Sequence, residues 1–325
     1  MAAVVIGRNE GERLAPSLRS VLNAGLPVVY ADSGSTDRSC EVAREFGIAV
    51  VELDPSRPFS AARGRNEGLD EARRRWPQID YVMFLDGDCV LDPSFPAAAV
   101  AAFEQGTDCA VVTGHLAERH PDASIYNRLC AIEWRSATGQ IASTGLGGIM
   151  AVRISAFRDV GGFDEQVIAG EEPDLGIRLT RAGYIMFKID VPMAVHDAEM
   201  TSFGEWWTRS MRSGHGVAQL FERHGRTTLR VGRRELRSAL FWGFVLPAVM
   251  LALLWPTRGL SLLLLGGYGL LGWRVFRYYS GTGLSRADAW LMTRFILYSR
   301  FAEFAGILRY CVNRLRGRFH IIEYK

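Results

Sequence analysis

Two carboxylates separated by a single glycine follow an apolar run in the segment YVMFLDGD, residues 81–88. Like charges this close together at the end of a buried strand repel each other unless a positive group holds them. Oxygen ligands suit a hard divalent cation, and Mg²⁺ or Mn²⁺ in proteins is commonly shared between carboxylates and substrate phosphates. Asp86 and Asp88 are therefore candidate metal ligands, and Gly87 would let a bound molecule approach the backbone. The alternative is a solvated turn, in which an Asp-x-Asp sequence also occurs by chance.

Other polar clusters follow the neighbouring apolar runs. VVIGRNEGERL places Asn9 and Glu10 just past the first run, and VVYADSGSTD ends the second run at Asp32. The segment FSAARGRNEGLDEA then brings Arg63 and Arg65 ahead of YVMFLDGD. Three further motifs lie downstream, namely GLGGIM at 145–150, GEEPDL at 170–175 and AVHD at 194–197. Together these clusters favour a functional role for the two carboxylates over a solvated turn.

The elements that must position these residues alternate between short apolar runs and amphipathic stretches. The predicted strands are AAVVI, PVVYADSG, IAVVEL and YVMFLD, and the segments between them have helical patterns. This order predicts an α/β fold with a mostly parallel sheet and helices on both faces. Ligands of such sheets bind beyond the carboxyl ends of the strands. Asp32 and Asp86 both stand where a strand stops, so both should face the same crevice.

In content and order these motifs resemble the family 2 inverting glycosyltransferases, whose catalytic domain has the Rossmann-like GT-A fold. The resemblance covers about residues 3–215 and implies transfer of a sugar from a nucleotide-diphosphate donor. It implies that Asp32 meets the base or ribose, that Arg65 approaches the base or a phosphate, and that Asp86 lies near the ribose. The residues so assigned to the donor nucleotide are Ile6, Asn9, Glu10, Asp32, Arg65, Asp86 and Gly87.

The resemblance also assigns the metal and the catalytic base. Asp88, with Asp86, would hold Mg²⁺ or Mn²⁺ against the diphosphate, and His196 falls where several metal-dependent members supply a further ligand. GEEPDL resembles G-E-D-x-[DE]-L, whose aspartate acts as the base; Glu172 stands at that position here, with one more methylene group. Either Glu172 or Glu171 is the base, or both only open a helix with favourable capping and dipole interactions. For His196 the alternative is a structural role at a strand end.

Two further motifs would serve the sugar or the acceptor. GLGGIM, with Gly147 and Gly148, would line the space beside the donor sugar. FGEWWTRSMRSGH, residues 203–215, resembles the aromatic-basic helix that follows the base in this family; Trp207 would face the acceptor or the diphosphate, or else pack as part of an amphipathic helix. The implied chemistry is one displacement, in which the glutamate removes a proton from the acceptor hydroxyl and the anomeric configuration inverts. A UDP-sugar is the most frequent donor in the family.

The chain changes character after about residue 225, which divides it into a predicted catalytic domain, 1–225, and a membrane-associated region, 226–325. Residues 238–273 contain a single charged side chain, Arg258, and predict a hydrophobic hairpin in a membrane. Tryptophans near the segment ends are typical of membrane interfaces, whereas the alternative is a buried helical hairpin of a soluble domain. Residues 287–315 mix apolar positions with arginines and predict an interfacial helix.

Composition favours the cytoplasmic face of a bacterial inner membrane. Arginines flank the hydrophobic hairpin on both sides while one lies at its tip, so both ends should stay cytoplasmic. Five scattered cysteines without CxxC pairs favour a reducing compartment, and the apolar strand that starts almost directly after Met1 predicts that there is no signal peptide. A basic, apolar C-terminal third favours a membrane over nucleic acid as the partner.

An enzyme held at a membrane suits an acceptor that lives in the membrane. The predicted acceptor is a polyprenyl-linked sugar in the synthesis of bacterial surface polysaccharide or glycoconjugate. The alternatives are a catalytically inactive scaffold with a transferase fold, or a polyprenyl-phosphate monosaccharide synthase. A nucleotidyltransferase would show a glycine-rich basic loop after the first strand, and a dinucleotide-dependent oxidoreductase would show G-x-G-x-x-G there. The sequence GRNEGERL fits neither of these enzyme classes.

Overall fold

The computed structural model describes residues 1–227 and 229–317. These residues form two compact units. The first consists of Met1–Ala123, Cys130–Val167 and Glu171–Glu199, and the second of Ser124–Leu129, Ile168–Gly170 and the chain from Met200 onward. By contacts, therefore, the second unit begins before residue 225, whereas the functional division at 225 stays a prediction.

The first unit is built around one sheet. Its strands within the described residues are β1 (Ala2–Gly7), β2 (Val28–Asp32), β3 (Ala49–Glu52), β4 (Tyr81–Asp86), β5 (Cys89–Leu91), β6 (Cys109–Glu118), β7 (Gly139–Gln140), β8 (Met150–Arg153) and β9 (Ile185–His196). Their order is β3-β2-β1-β4-β8-β6-β9-β5, and β7 pairs with β9. The first four strands pair in parallel, whereas β4 and β6 pair antiparallel to β8, and β5 and β7 antiparallel to β9.

The predicted mostly parallel sheet is therefore correct for β1–β4, and the sheet as a whole is mixed. Parallel neighbours need a long crossover, which the helices between the first four strands supply. Beyond β4 the strand directions depend on pairings between segments far apart in the chain, such as β6 with β9, which are parallel. No local sequence period carries that information, so the mixed half of the sheet was missed.

Helices cover both faces of the sheet, as predicted. Those that pack in its two cores are α1 (Leu14–Asn23), α2 (Ser39–Glu45), α3 (Ala61–Arg75), α4 (Phe95–Glu104), α6 (Ile154–Asp159) and α7 (Glu171–Arg181), and α5 (Ile125–Glu133) lies between β6 and β7 in the chain. Alternate residues of β1 divide between two cores: Ala3 and Val5 pack in the core that holds α1, α2 and α4, and Val4 and Ile6 pack in the core that holds α3, α6 and α7. Side chains of a strand point alternately to opposite faces, so this division confirms the α/β layering.

The second unit is helical within its described residues. Its longer helices are α8 (Phe203–His224), α9 (Arg233–Leu240), α10 (Leu246–Ala252), α11 (Leu265–Gly281) and α12 (Arg286–Leu315). Helices α8 and α12 touch backbone to backbone at two glycines. A Cβ at Gly214 would lie 2.1 Å from Glu303 O, and one at Gly306 would lie 1.9 Å from Met211 O. Any larger residue at either position would separate the two helices.

The segment predicted as a hydrophobic hairpin forms two helical arms. Helix α9, a π-helical turn and α10 make one continuous helical run, Arg233–Ala252. Among the described residues, this is the one helix whose length and composition would allow it to cross a membrane. The turn that follows contains Arg258 and Gly259, both with positive φ. Large apolar side chains around this turn are exposed, among them Leu251, Leu253, Leu254, Trp255, Leu260 and Leu263. The helical C-terminal region is thus confirmed, and its membrane association stays a prediction.

Candidate active site

Four charged side chains from three elements meet at the carboxyl end of β4. Arg65, on α3, donates from Nη2 to Asp86 Oδ1 at 3.1 Å, and from Nη1 to Glu171 Oε1 at 3.2 Å and Glu172 Oε1 at 3.4 Å. One guanidinium therefore links the last residue of β4 to the first two residues of α7. We call these four residues the arginine–carboxylate cluster.

The sequence around Arg65 holds its guanidinium in place. The side chain is 2% exposed, and its guanidinium lies over the Phe163 ring, 5.4 Å from the centroid. Asn66, the next residue of α3, fixes Phe163 by donating to its carbonyl at 2.8 Å and accepting from its amide at 3.1 Å. Burial would lower the pKa of Arg65, but the three carboxylates raise it above its usual value. The cluster therefore keeps a cation at its centre.

Arg63, the other arginine of the same motif, has a different structural role. Ser60 caps α3 by accepting from Arg63 N at 3.1 Å. The Arg63 guanidinium donates from Nη1 to the carbonyls of Asp54 at 2.9 Å and Arg57 at 3.0 Å, and from Nε to Glu67 at 2.6 Å. Arg63 thus holds the loop before α3, and Arg65 faces the carboxylates.

Glu172 has the titration behaviour expected of a general base. Burial and the neighbouring Glu171 carboxylate raise the pKa of Glu172 to about 7, against the opposing effect of Arg65. A general base works best when its pKa lies near the operating pH. The Glu172 side chain is 17% exposed and that of Glu171 only 5%, so an acceptor hydroxyl reaches Glu172 more easily. These observations favour Glu172 as the base, and its role stays a prediction.

The last acid of the GEEPDL motif is structural. Asp174 is fully buried and accepts from Arg178 Nε at 2.8 Å. Arg178 also donates from Nη1 to the carbonyls of Val160 at 2.7 Å and Gly162 at 2.6 Å. Through these bonds Arg178 ties α7 to the end of α6 and so fixes where the two glutamates at the start of α7 lie.

Gly148 packs directly against the arginine–carboxylate cluster. A Cβ at this position would lie 2.4 Å from Arg65 Nη2, 3.1 Å from Asp86 Oδ2 and 3.3 Å from Glu172 Oε1. A Cβ at Gly147 would meet nothing within 4 Å. Both glycines were predicted to lie beside the donor sugar. A side chain would collide with the cluster at Gly148, whereas one at Gly147 would have space.

This difference gives a matched pair of variants. We expect Gly148→Ala to lower transferase activity at least about tenfold, because the added methyl group displaces a guanidinium that three carboxylates pin in place. Gly147→Ala should change activity by less than about twofold, since its methyl group meets open space. Steady-state kinetics on both purified variants decide the matter. Equal effects of the two substitutions would contradict the proposed packing.

The second carboxylate of the Asp-Gly-Asp motif belongs to a different group of side chains. Asp88 Oδ1 lies 3.5 Å from His196 Nε2, and Cys89 Sγ donates to the same oxygen at 3.3 Å. The three potential ligand atoms of Asp88, Cys89 and His196 lie within 4.8 Å of one another. His196 packs edge-on against Trp134 at 4.7 Å between centroids, and its Nδ1 faces the buried carboxylate of Glu118 at 4.0 Å.

Asp88 and His196 fit a divalent metal ion. An aspartate oxygen and an imidazole nitrogen already aimed at the same point are a suitable donor pair for Mn²⁺, and His196 Nδ1 is buried without a hydrogen bond. Behind the ring, Glu118 Oε2 lies 4.0 Å from Nδ1, and a carboxylate on that side is where metal-bound histidines have their hydrogen-bond acceptor. Asp86, which the sequence paired with Asp88 as a ligand, has its Oδ1 engaged by Arg65. The two like-charged carboxylates therefore have different partners: Asp86 is bonded to Arg65, and Asp88 lies against the His196 imidazole.

Asp32, predicted to meet the base or ribose, lies at the end of β2 and is 2% exposed. Its Oδ1 accepts from the Tyr30 hydroxyl at 3.0 Å and the Ser35 hydroxyl at 2.5 Å. Its Oδ2 accepts from the amides of Gly34 at 3.0 Å and Ser35 at 2.7 Å. Burial and the Asp32 charge raise the pKa of Tyr30, so that hydroxyl keeps its proton. All four lone-pair positions of the carboxylate therefore have a donor, either Tyr30 in β2 or the loop that follows the strand.

The loops after β1 and β2 are bonded to each other. Asn9, with φ of 55°, donates from its amide to Ser35 Oγ at 2.9 Å and accepts at Oδ1 from Thr36 N at 2.7 Å. The side chain of Glu10 lies over Gly87, where a Cβ would be 2.8 Å from Glu10 Cγ. Gly87 also donates to Ile6 O at 2.8 Å. The residues predicted to frame the nucleotide pocket thus surround the ends of β1, β2 and β4.

Trp207 belongs to the second unit, where its ring lies 5.8 Å from that of Phe203. Its predicted place beside the acceptor stays a prediction. Cys89 and Glu118 were missed by sequence reasoning. Cys89 follows the Asp-Gly-Asp motif directly, so its position was a signal, whereas Glu118 ends β6 and is brought to His196 by strand pairing alone.

The sequence profile described as Glycosyl transferase family 2 matches residues 3–160. That stretch contains Asp32, Arg65, Asp86 and Asp88, in the order and at the strand ends just described. Residues 3–160 are therefore a glycosyl transferase family 2 domain. The resemblance seen in the sequence and the assignment to the glycosyltransferases are therefore confirmed, and Glu171, Glu172 and His196 lie beyond the matched residues.

Several curated proteins are similar to this chain in sequence. It is 30% identical over 176 residues to poly-beta-1,6-N-acetyl-D-glucosamine synthase of Staphylococcus epidermidis, with 49% of this chain and 41% of that protein covered. It is 31% identical over 228 residues to succinoglycan biosynthesis protein ExoA of Rhizobium meliloti, with 66% and 65% covered. The chain thus spans about two fifths of the length of the synthase.

Several solved structures share the fold of this chain. A mannosyltransferase from Pyrobaculum calidifontis, in complex with GDP-Man and Mn²⁺, has a TM-score of 0.59 at 17% identity over 96% of this chain and 87% of that one. Staphylococcus aureus TarS 1–349 has a TM-score of 0.51 at 14% identity, with 98% and 93% covered. These likenesses confirm the predicted GT-A fold.

Proposed function

We propose that this chain transfers a sugar from a nucleotide-diphosphate donor to an acceptor hydroxyl with inversion at the anomeric carbon. The observation that carries the proposal is Glu172, a half-buried carboxylate whose pKa is raised to about 7 and which one guanidinium ties to the carboxyl end of β4. In an α/β sheet that edge is where ligands bind. A single well-placed base is what one-step inversion requires, because no covalent intermediate has to form.

In this mechanism the chain's own residues bind, orient and move a proton. Glu172 Oε accepts the proton of the acceptor hydroxyl, whose oxygen attacks the anomeric carbon. Arg65 holds Glu172 in the orientation that its packing dictates. Asp88 and His196 would hold Mn²⁺ or Mg²⁺, which when bound neutralises the diphosphate that leaves. Glu118 would keep the His196 ring oriented.

The donor is a nucleotide-sugar, for which we propose a UDP-sugar. The similar solved structure from Pyrobaculum holds GDP-Man and Mn²⁺, and the relative from Staphylococcus epidermidis is named for a polymer of N-acetyl-D-glucosamine. The first name supports a nucleoside diphosphate as the leaving group, and the second supports a sugar as the group transferred. Asn9, Glu10 and Gly87 surround the strand ends where that group would lie.

The test follows the melting temperature of the purified protein with UDP, GDP and other nucleoside diphosphates, with and without Mn²⁺. One nucleotide should stabilise the protein only when Mn²⁺ is present, by about 2.7 kcal/mol at a hundredfold its dissociation constant. Asp88→Asn should abolish that stabilisation, because it removes a charged ligand of the metal. Asp70→Asn, at an exposed position of α3, is the matched control and should retain it. If no nucleotide stabilises the protein, the proposed donor chemistry is wrong.

We further propose that the acceptor is polyprenyl-linked and that the hydrophobic hairpin holds the enzyme at the cytoplasmic face of a bacterial membrane. The support is the exposed apolar tip, where Trp255 is 92% exposed and Leu263 78% exposed, next to a 20-residue apolar helical run. Exposed apolar surface of this extent marks an interaction site. ExoA and the synthase, which act in polysaccharide synthesis by their names, support a glycan product.

Vesicle flotation tests the membrane proposal. The protein should float with liposomes that contain anionic lipid after detergent removal, and Trp255→Ser combined with Leu263→Ser should lower the bound fraction at least about tenfold, because each buried side chain of this size contributes about 1.5–3 kcal/mol. Leu22→Ser, at an exposed apolar position of α1 in the first unit, is the control and should float like the parent. A parent protein that stays at the bottom of the gradient would refute the proposal.

A further inference from the structure

We infer that Cys89 is a third ligand of the metal site, so that this transferase binds thiophilic divalent cations more tightly than Mg²⁺. The inference rests on the proposed function, since it concerns the metal held by Asp88 and His196. The geometric basis is that Sγ of Cys89 lies 3.3 Å from Asp88 Oδ1, and that one atom of each of the three side chains lies within 4.8 Å of the others. Ligand atoms around one first-row metal ion are spaced by such distances, because each bond is about 2.0–2.3 Å long.

The sheet fixes these three donors. In the antiparallel pairing of β5 with β9, Cys89 stands directly opposite His196. Residues directly opposite each other project their side chains from the same face of a sheet, with Cβ atoms about 4.5–5.5 Å apart. Asp88 is anchored from the same strand pair, since its carbonyl accepts from Asp197 N at 3.1 Å. The donor set is therefore held by backbone pairing on both sides.

The surroundings of the cluster are also those of a metal site. Cys89 is fully buried and Asp88 is 5% exposed, so neither donor is a freely solvated surface group. On the far side of the imidazole, Glu118 Oε2 faces His196 Nδ1, and Glu118 is itself oriented by the amides of His120 at 3.1 Å and Ala198 at 3.2 Å. An oriented carboxylate behind a ligating imidazole tunes and fixes the ligand.

One carboxylate, one imidazole and one thiolate make a donor set of intermediate softness. Mg²⁺ prefers oxygen ligands alone, whereas thiolate favours Zn²⁺ and its heavier analogue Cd²⁺, and imidazole suits Zn²⁺ as well. On binding, the Cys89 thiol gives its proton to solvent as the sulfur–metal bond forms, so the charge is balanced without any oxidant or reductant. The order of affinity expected at this site is Cd²⁺ and Zn²⁺ above Mn²⁺, and Mn²⁺ above Mg²⁺.

The experiment titrates the purified protein with Cd²⁺ and records the ultraviolet charge-transfer absorption of a thiolate–Cd²⁺ bond. The parent protein should develop this band with one equivalent of Cd²⁺, and excess Mn²⁺ should reverse it at a lower concentration than Mg²⁺. Cys89→Ser should lose the band and bind Cd²⁺ at least about tenfold more weakly. Cys130→Ser, at another buried cysteine, is the matched control and should keep it.

Two further measurements make each outcome decisive. Cys89→Ala gives a second substitution if the serine variant does not fold, and Asp88→Asn, which keeps the thiol, should move the midpoint of the Cd²⁺ titration to higher concentration. A parent protein without the band, or one whose band survives in both Cys89 variants, overturns the inference. If a nucleotide still stabilises the protein in the presence of Mn²⁺, the proposed function stands. If that stabilisation is absent as well, the metal-dependent function fails too.

Discussion

Replacing Glu172 with Gln is expected to lower kcat by about 10²–10⁴-fold while the affinity for the donor nucleotide stays within about twofold. The amide has the size of the carboxylate but cannot accept the acceptor's proton. Because Glu172 lies at the cluster and the metal ligands Asp88 and His196 form a separate group, nucleotide binding should not depend on it. Steady-state kinetics give kcat, and the Mn²⁺-dependent melting shift gives the nucleotide affinity.

The activity of the parent enzyme should rise with pH through about 7 and then level. Burial and Glu171 raise the pKa of Glu172 to about 7, so the base is protonated and inactive below that value. Glu171→Gln removes a neighbouring negative charge, so it should move the acid limb of the kcat profile to lower pH while activity at pH 8 is largely kept. The reverse result, in which Glu171→Gln is inactive and Glu172→Gln active, would make Glu171 the base.

The raised pKa also has a consequence for folding. The folded protein holds the Glu172 proton more tightly than the unfolded chain between pH 4.5 and about 7, so this group favours folding below that window and progressively less as pH rises through it. Glu172→Gln should therefore melt at a higher temperature than the parent at pH 8, with the difference vanishing near pH 5.

A parent protein that binds the nucleotide but has no transferase activity would indicate the catalytically inactive scaffold.

Arg65→Met is expected to destabilise the protein by about 3–5 kcal/mol, because it leaves Asp86, Glu171 and Glu172 facing one another without the cation that compensates them. Methionine keeps most of the volume over Phe163, so the loss is electrostatic and not a cavity effect. Urea unfolding at pH 8 measures the free energy. Arg75→Met on the same helix, at a half-exposed ion pair with Glu71, is the control and should cost less than about 1 kcal/mol.

A second substitution separates repulsion from general damage. Combining Arg65→Met with Asp86→Asn removes one of the uncompensated charges, so the double variant should be more stable than Arg65→Met alone. Stabilities that simply add would show that Arg65 and Asp86 are not coupled. Donor affinity gives an independent reading: the sequence assigned Arg65 to the base or a phosphate, whereas its contacts are with carboxylates, so Arg65→Lys should lower kcat more than donor affinity.

The sequence was sufficient for the layering of the sheet and for the positions of the candidate site motifs. Short continuous apolar runs and their polar ends predicted β1, β2 and β4, and so the strand ends where Asp32 and Asp86 stand. The helical hairpin followed from the absence of charge. These features are local, because each can be recognised within fewer than about twenty consecutive residues.

The partners of the active-site residues could not be predicted, because they come from distant parts of the chain. Arg65 meets glutamates more than a hundred positions away, and Cys89 stands opposite His196 only because β5 pairs with β9 in one register. A shift of that register by one residue would turn the cysteine to the other face. The donors on Asp32 were not predicted either, although they are local: its position was predicted, but not that Tyr30 and the loop after β2 occupy all four acceptor positions.

The glycine contacts between α8 and α12 set an order of events during synthesis. Gly214 and Gly306 can meet only after both have been made, and the whole apolar hairpin lies between them in the chain. The hairpin is therefore synthesised before α12. Until α12 has been made, the apolar arms of the hairpin lack this helix as a packing partner. Contacts that close such a long loop form late, so a lipid surface present during translation can receive the hairpin first.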